Sequence, residues 1–64
     1  MHTKSTPIQI DEYELPGGES VTLTKHGDRS FDVDMWRADG DNHWNIWFST
    51  EANARIEFER WRTR

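Results

Sequence analysis

Phe31-Asp32-Val33-Asp34-Met35-Trp36-Arg37-Ala38-Asp39-Gly40-Asp41-Asn42-His43-Trp44-Asn45-Ile46-Trp47-Phe48 is the stretch that decides how this chain folds. Phe31, Val33 and Met35 alternate with Asp32, Asp34 and Trp36, and Trp44, Ile46 and Phe48 alternate with His43, Asn45 and Trp47. A period of two marks a strand with one face buried. Between the two runs, Asp39 to Asn42 supply turn chemistry, because Gly and Asn or Asp tolerate left-handed backbone. The stretch therefore predicts two antiparallel strands joined by a tight turn, with Asp39 opposite Asn42 around Gly40-Asp41. That pairing sets Trp36 opposite Asn45 and Asp34 opposite Trp47, and brings both indoles close together.

Beyond Phe48 the period changes. Ser49 or Thr50 is placed to cap a helix, Glu51 suits its positive end, and Arg60, Arg62 and Arg64 suit its negative end. The segment from Thr50 to about Arg62 has no Gly or Pro, and carries Glu51/Arg55 and Arg55/Glu59 at i,i+4. Ala54, Phe58 and Trp61 form one stripe, the expected core face, with Ala52 and Ile56 well round from it.

Upstream, Val21 and Leu23 alternate with Ser20, Thr22 and Thr24, a third half-buried strand, followed by a hairpin loop at Lys25 to Arg29 centred on His26, Gly27 and Asp28. Ile8 and Ile10 share one parity and Tyr13 and Leu15 the other. A first strand here needs a bulge near Asp11 and Glu12, or two short pieces. Pro16, Gly17 and Gly18 then turn the chain. The expected fold class is α+β: a four-stranded antiparallel meander with one C-terminal helix on one face, ββββα. Residues 1–7 read as a flexible N-terminal arm and 8–64 as a single domain.

The chain has 64 residues, so its core is one thin layer and no deep pocket is expected. It has no Cys, which excludes disulfides and thiolate metal sites. No apolar run approaches the ~20 residues that span a bilayer, and the first residues lack the apolar core of a signal peptide. The expectation is a soluble, cytoplasmic protein with no membrane partner. Four Trp and three Phe in so polar a sequence argue for an ordered fold in which a few aromatics fill the core. Net charge is −4, with the acid concentrated before residue 51 and a mildly basic tail beyond it. Such a body repels phosphate backbones and attracts basic protein surfaces.

No catalytic constellation is present, and the chain is not expected to be an enzyme. No nucleophile elbow or phosphate-cradling loop occurs, and Asp32 with Asp34, though on one strand face, lack the desolvated cleft a general acid requires. Asp39-Gly40-Asp41-Asn42 departs from the calcium-loop pattern and reads as a turn. His2, His26 and His43 have no helical i,i+4 partner and do not make a zinc set. No metal or cofactor is expected.

What remains is binding. One helix covers one face of a four-stranded sheet, and the pleat puts Thr22, Thr24, Asp32, Asp34, Trp36, Asn45 and Trp47 on the other. Aromatics beside acids on an uncovered face mark a docking surface for a basic partner. The candidate partner-binding residues are Asp32, Asp34, Trp36 and Trp47, with Asp11, Glu12 and Glu14 as a second acidic patch. Two alternatives stand beside this. The indoles with Arg55, Arg60, Arg62 and Arg64 make a single-stranded nucleic-acid module, or the same face closes a structural homodimer.

In size, acidity and its single-domain sheet-plus-helix pattern the chain resembles the small stand-alone proteins that phages and mobile elements use to inhibit host machinery, anti-CRISPR proteins among them. No motif accompanies the resemblance. It implies stoichiometric inhibition or an adaptor role: an acidic, nucleic-acid-mimicking surface that occupies a basic nucleic-acid-binding groove on a larger protein or complex.

Overall fold

The computed structural model of the chain describes residues 6–62; most of the expected arm and Arg64 lie outside the described residues. Four strands, β1 (Ile8–Glu14), β2 (Ser20–Gly27), β3 (Ser30–Trp36) and β4 (Asn42–Phe48), precede one helix, α1 (Glu51–Arg62). The strands form one antiparallel sheet in the order β1-β2-β3-β4, the meander that the short turns dictate. No helix among the described residues is long and apolar enough to cross a membrane.

The β1–β2 and β3–β4 loops are built alike. In each, a carbonyl accepts the N–H three residues on (Leu15 from Gly18 at 2.9 Å, Arg37 from Gly40 at 2.8 Å), and the N–H of the same residue donates four residues on (to Glu19 and Asp41, both 2.7 Å). This is a three-residue loop ending in a left-handed residue, which a Cβ disfavours. Gly18 and Gly40 fill that place, at φ 90° and 97°.

Here the structure corrects the expected β3–β4 pairing. The loop is Ala38-Asp39-Gly40, with Gly40 as its last residue, and a bulge at His43 follows between the Met35↔Trp44 and Trp36↔Asn42 pairs. Asp34 therefore faces Asn45 and Asp32 faces Trp47. Trp36 and Trp47 are four β3 positions apart, roughly 13 Å at the rise of a strand, and do not adjoin. In β1 the expected bulge lies between Gln9 and Asp11, and it restores Tyr13 to the core parity opposite Val21. β2 runs on to Gly27, so the loop to β3 is tighter than expected.

Thr50 caps α1, its Oγ1 accepting the Asn53 N–H at 3.3 Å. Val21, Leu23, Phe31, Val33 and Met35 from the sheet and Ala54 and Phe58 from α1 make the buried core. Tyr13, Leu15, Trp44, Phe48 and Trp61 pack around it. Trp44 and Trp61 stack at 5.3 Å between β4 and the end of α1. On the β1 side the Tyr13 ring meets Phe58 edge-on at 4.8 Å, and its hydroxyl donates to the Phe58 carbonyl at 2.6 Å. The Arg62 guanidinium lies over the same ring at 4.7 Å. These contacts fasten α1 across the middle of the sheet, over β2 and β3. Ile46, on the helix side of β4 and expected in the core, is left 38% exposed.

Candidate functional site

The face of the sheet away from α1 is a grid set by strand register. Across β1 to β4 its rows read Glu14, Ser20, Trp36, Asn42, then Glu12, Thr22, Asp34, Asn45, then Gln9, Thr24, Asp32, Trp47. Six of the seven expected binding residues share this surface, both tryptophans and four carboxylates. Glu12, Glu14, Asp32 and Asp34 supply the charge.

Asp11 is not on this face. Opposite Leu23, it lies on the helix side, where its carboxylate meets Arg55 Nη1 at 3.3 Å. The Glu12 backbone N–H, 2.8 Å from Asp11 Oδ1, and after it the Arg55 guanidinium hold the Asp11 carboxyl below the usual carboxylate range. The second acidic patch expected from sequence is thus divided between the two faces, since neighbouring residues in a strand point opposite ways.

Both indoles are tethered by their N–H groups. Trp36 Nε1 donates to Thr22 Oγ1 at 3.0 Å, and that threonine, only 6% exposed, lies beneath it. Trp36 is half-buried. Trp47 Nε1 donates to Ser30 Oγ at 3.0 Å, yet the residue remains 57% exposed. A polar anchor with a bare ring face is what an aromatic hot spot needs: fixed orientation and little rotamer entropy left to lose.

The carboxylates are positioned by uncharged or weakly basic neighbours. Asp34 Oδ1 accepts from Asn45 Nδ2 at 2.7 Å and from Asn42 Nδ2 at 3.4 Å. Asp32 Oδ2 lies 2.7 Å from His26 Nε2. Glu12 accepts only a long bond from Gln9, 3.4 Å. Among the described residues no Lys or Arg pairs with Asp32, Asp34, Glu12 or Glu14.

On the helix side the opposite holds. Arg55 meets Glu51 as well as Asp11, Arg60 meets Glu57 at 3.3 Å, and Arg62 meets Glu59 at 3.3 Å. The helical arginines expected to track a nucleic-acid backbone are neutralised where they stand, Arg64 lying outside the described residues. His26 and His43 lie at bulges in β2 and β4, and no group of three or more His, Cys, Asp or Glu among the described residues could hold a metal ion.

Sequence reasoning found the acids and indoles from strand parity. It missed the residues that orient them, Thr22, Ser30, His26, Asn42 and Asn45, because direct and diagonal contacts across a sheet depend on register and bulges that no local pattern specifies. Comparison with protein-family models, with curated proteins and with solved structures finds no match to this chain.

Proposed function

We propose that this chain is a non-catalytic binding protein that docks the uncovered face of its sheet onto a basic surface of a larger protein. Trp47 is the apolar anchor, and Asp32, Asp34, Glu12 and Glu14 are the charges that steer and register the partner. The reading extends to the use of such a surface: stoichiometric occupation of a nucleic-acid-binding groove, by an inhibitor or adaptor of the anti-CRISPR kind, in the cytoplasm.

The observation that carries this reading is the uneven distribution of counterions. The carboxylates on the helix side have arginines beside them, whereas the four on the uncovered face have none among the described residues. A folded chain with unneutralised acids beside an exposed tryptophan gains by meeting a surface that supplies the missing cations. The same distribution weighs against the nucleic-acid module, whose described arginines are already paired.

The test is capture of partners on immobilised protein, with and without nuclease, comparing the native chain with Asp32→Asn/Asp34→Asn and with Arg60→Ala/Arg62→Ala. A protein partner retained through nuclease, weakened by salt and lost on the aspartate variant supports the proposal. Capture that survives the aspartate changes but fails with nuclease or with the arginine variant refutes it.

A further inference from the structure

The two free edges of the sheet differ. An edge strand offers unpaired N–H and C=O groups to any other strand, and proteins guard against this with charge, proline and bulges. β1 has all three guards: Pro7 precedes it, a bulge interrupts it at Ile10, and Asp11, Glu12 and Glu14 lie along it. β4 has a bulge at His43 and no other guard. From Asn42 to Phe48 it carries no Lys, Arg, Asp, Glu or Pro, and Trp44 to Phe48 pair with β3 in unbroken register.

We propose that β4 pairs antiparallel with β4 of a second copy, about a two-fold axis at Ile46. In this register Ile46 meets its own counterpart, Trp44 meets Phe48 of the second copy, and Asn45 meets its Trp47. The first two pairs fall on the helix side and the third on the uncovered face. Ile46, left 38% exposed on this outermost strand, is covered by its twin.

Self-pairing suits this edge better than any other strand of the molecule. The segment contains no charge to repel its copy, although each chain carries a net −4. Pairing β4 with β1 meets the bulge and the carboxylates, and it would propagate without closing, whereas a two-fold contact closes at the dimer. The two-fold stands perpendicular to the sheet, so both uncovered faces lie on one side and the acidic grids become neighbours. The inference does not rest on the proposed function.

The chain lacks Cys, so a single introduced thiol reports the contact directly. Ile46→Cys is expected to form a disulfide-linked dimer in dilute oxidant, while Ile56→Cys, at a 63% exposed site on the outer side of α1, stays monomeric at the same concentration. Sedimentation is expected to show the native mass rising with concentration from 7.6 kDa towards twice that value. Ile46→Lys should weaken the dimer about tenfold or more. Added salt should strengthen it by screening two acidic bodies, opposite in sign to its effect on a basic partner. A native mass that stays monomeric up to about millimolar concentration overturns the proposal. A dimer that neither cross-links through Ile46→Cys nor responds to Ile46→Lys overturns it too, and places the contact elsewhere.

Discussion

Tyr13 is the only tyrosine in the chain, so its ionisation can be followed alone by the ultraviolet absorbance of tyrosinate. Burial, more than any neighbouring charge, pushes its phenol up to about 12; Glu59 and Glu57 push in the same direction, and Arg62 pulls against them. The folded value lies above the ordinary 10.0, so the folded chain holds this proton more tightly than the unfolded one. The stability that follows is fully present below about pH 10 and is lost as the pH rises towards about 12.

The hydroxyl donates to the Phe58 carbonyl at 2.6 Å, and Tyr13→Phe deletes that bond while keeping the ring. A net loss of about 1 kcal/mol is expected, which lowers Tm by roughly 4–8 °C in a domain of this size. Thermal unfolding followed by circular dichroism should show this gap at neutral pH, and show it closing between about pH 10 and 12 as the native chain alone loses the contact. Titration of Tyr13 near 10 in the folded chain, or a Tyr13→Phe variant as stable as the native protein, would refute the reasoning that this hydroxyl fastens α1 to β1.

Gly18→Ala and Gly40→Ala both force a Cβ onto left-handed backbone, a cost of about 1 kcal/mol or more each. Gly18→Ala should cost more, because its Cβ would meet the Ala38 Cβ at 3.2 Å while that of Gly40 meets open space; urea unfolding that ranks them the other way contradicts the loop geometry. Phe58→Ala, at a fully buried site, should cost about 3–5 kcal/mol, and Trp47→Ala, 57% exposed, less than about 1 kcal/mol. A Trp47→Ala chain that fails to fold would make that indole a structural residue.

The strand count, the meander order and the helix were legible because each rests on a local period: two in β3 and β4, and an unbroken run without Gly or Pro in α1. Register was not. Whether Gly40 opens or ends its loop would shift the partner of Asp34 from Trp47 to Trp44, and the His43 bulge brings it back by one, to Asn45. Turn dipeptides suggest a loop without fixing its length. Alternation along β3 also identified the acids of the uncovered face, but not their lack of cationic partners, which depends on where the arginines of α1 come to lie. The exposure of Ile46 had the same origin, since it depends on α1 crossing the sheet over β2 and β3, a placement set by contacts between residues far apart in sequence.

The four tryptophans report which side of the sheet is used, for Trp36 and Trp47 lie on the uncovered face and Trp44 and Trp61 on the helix side. Their indole N–H resonances, assigned by single Trp→Phe variants, can be followed as a captured basic partner is added. Docking through the uncovered face requires Trp47, and with it Trp36, to shift while Trp44 and Trp61 hold still. Movement of the Trp44 and Trp61 signals with Trp47 unmoved would contradict it.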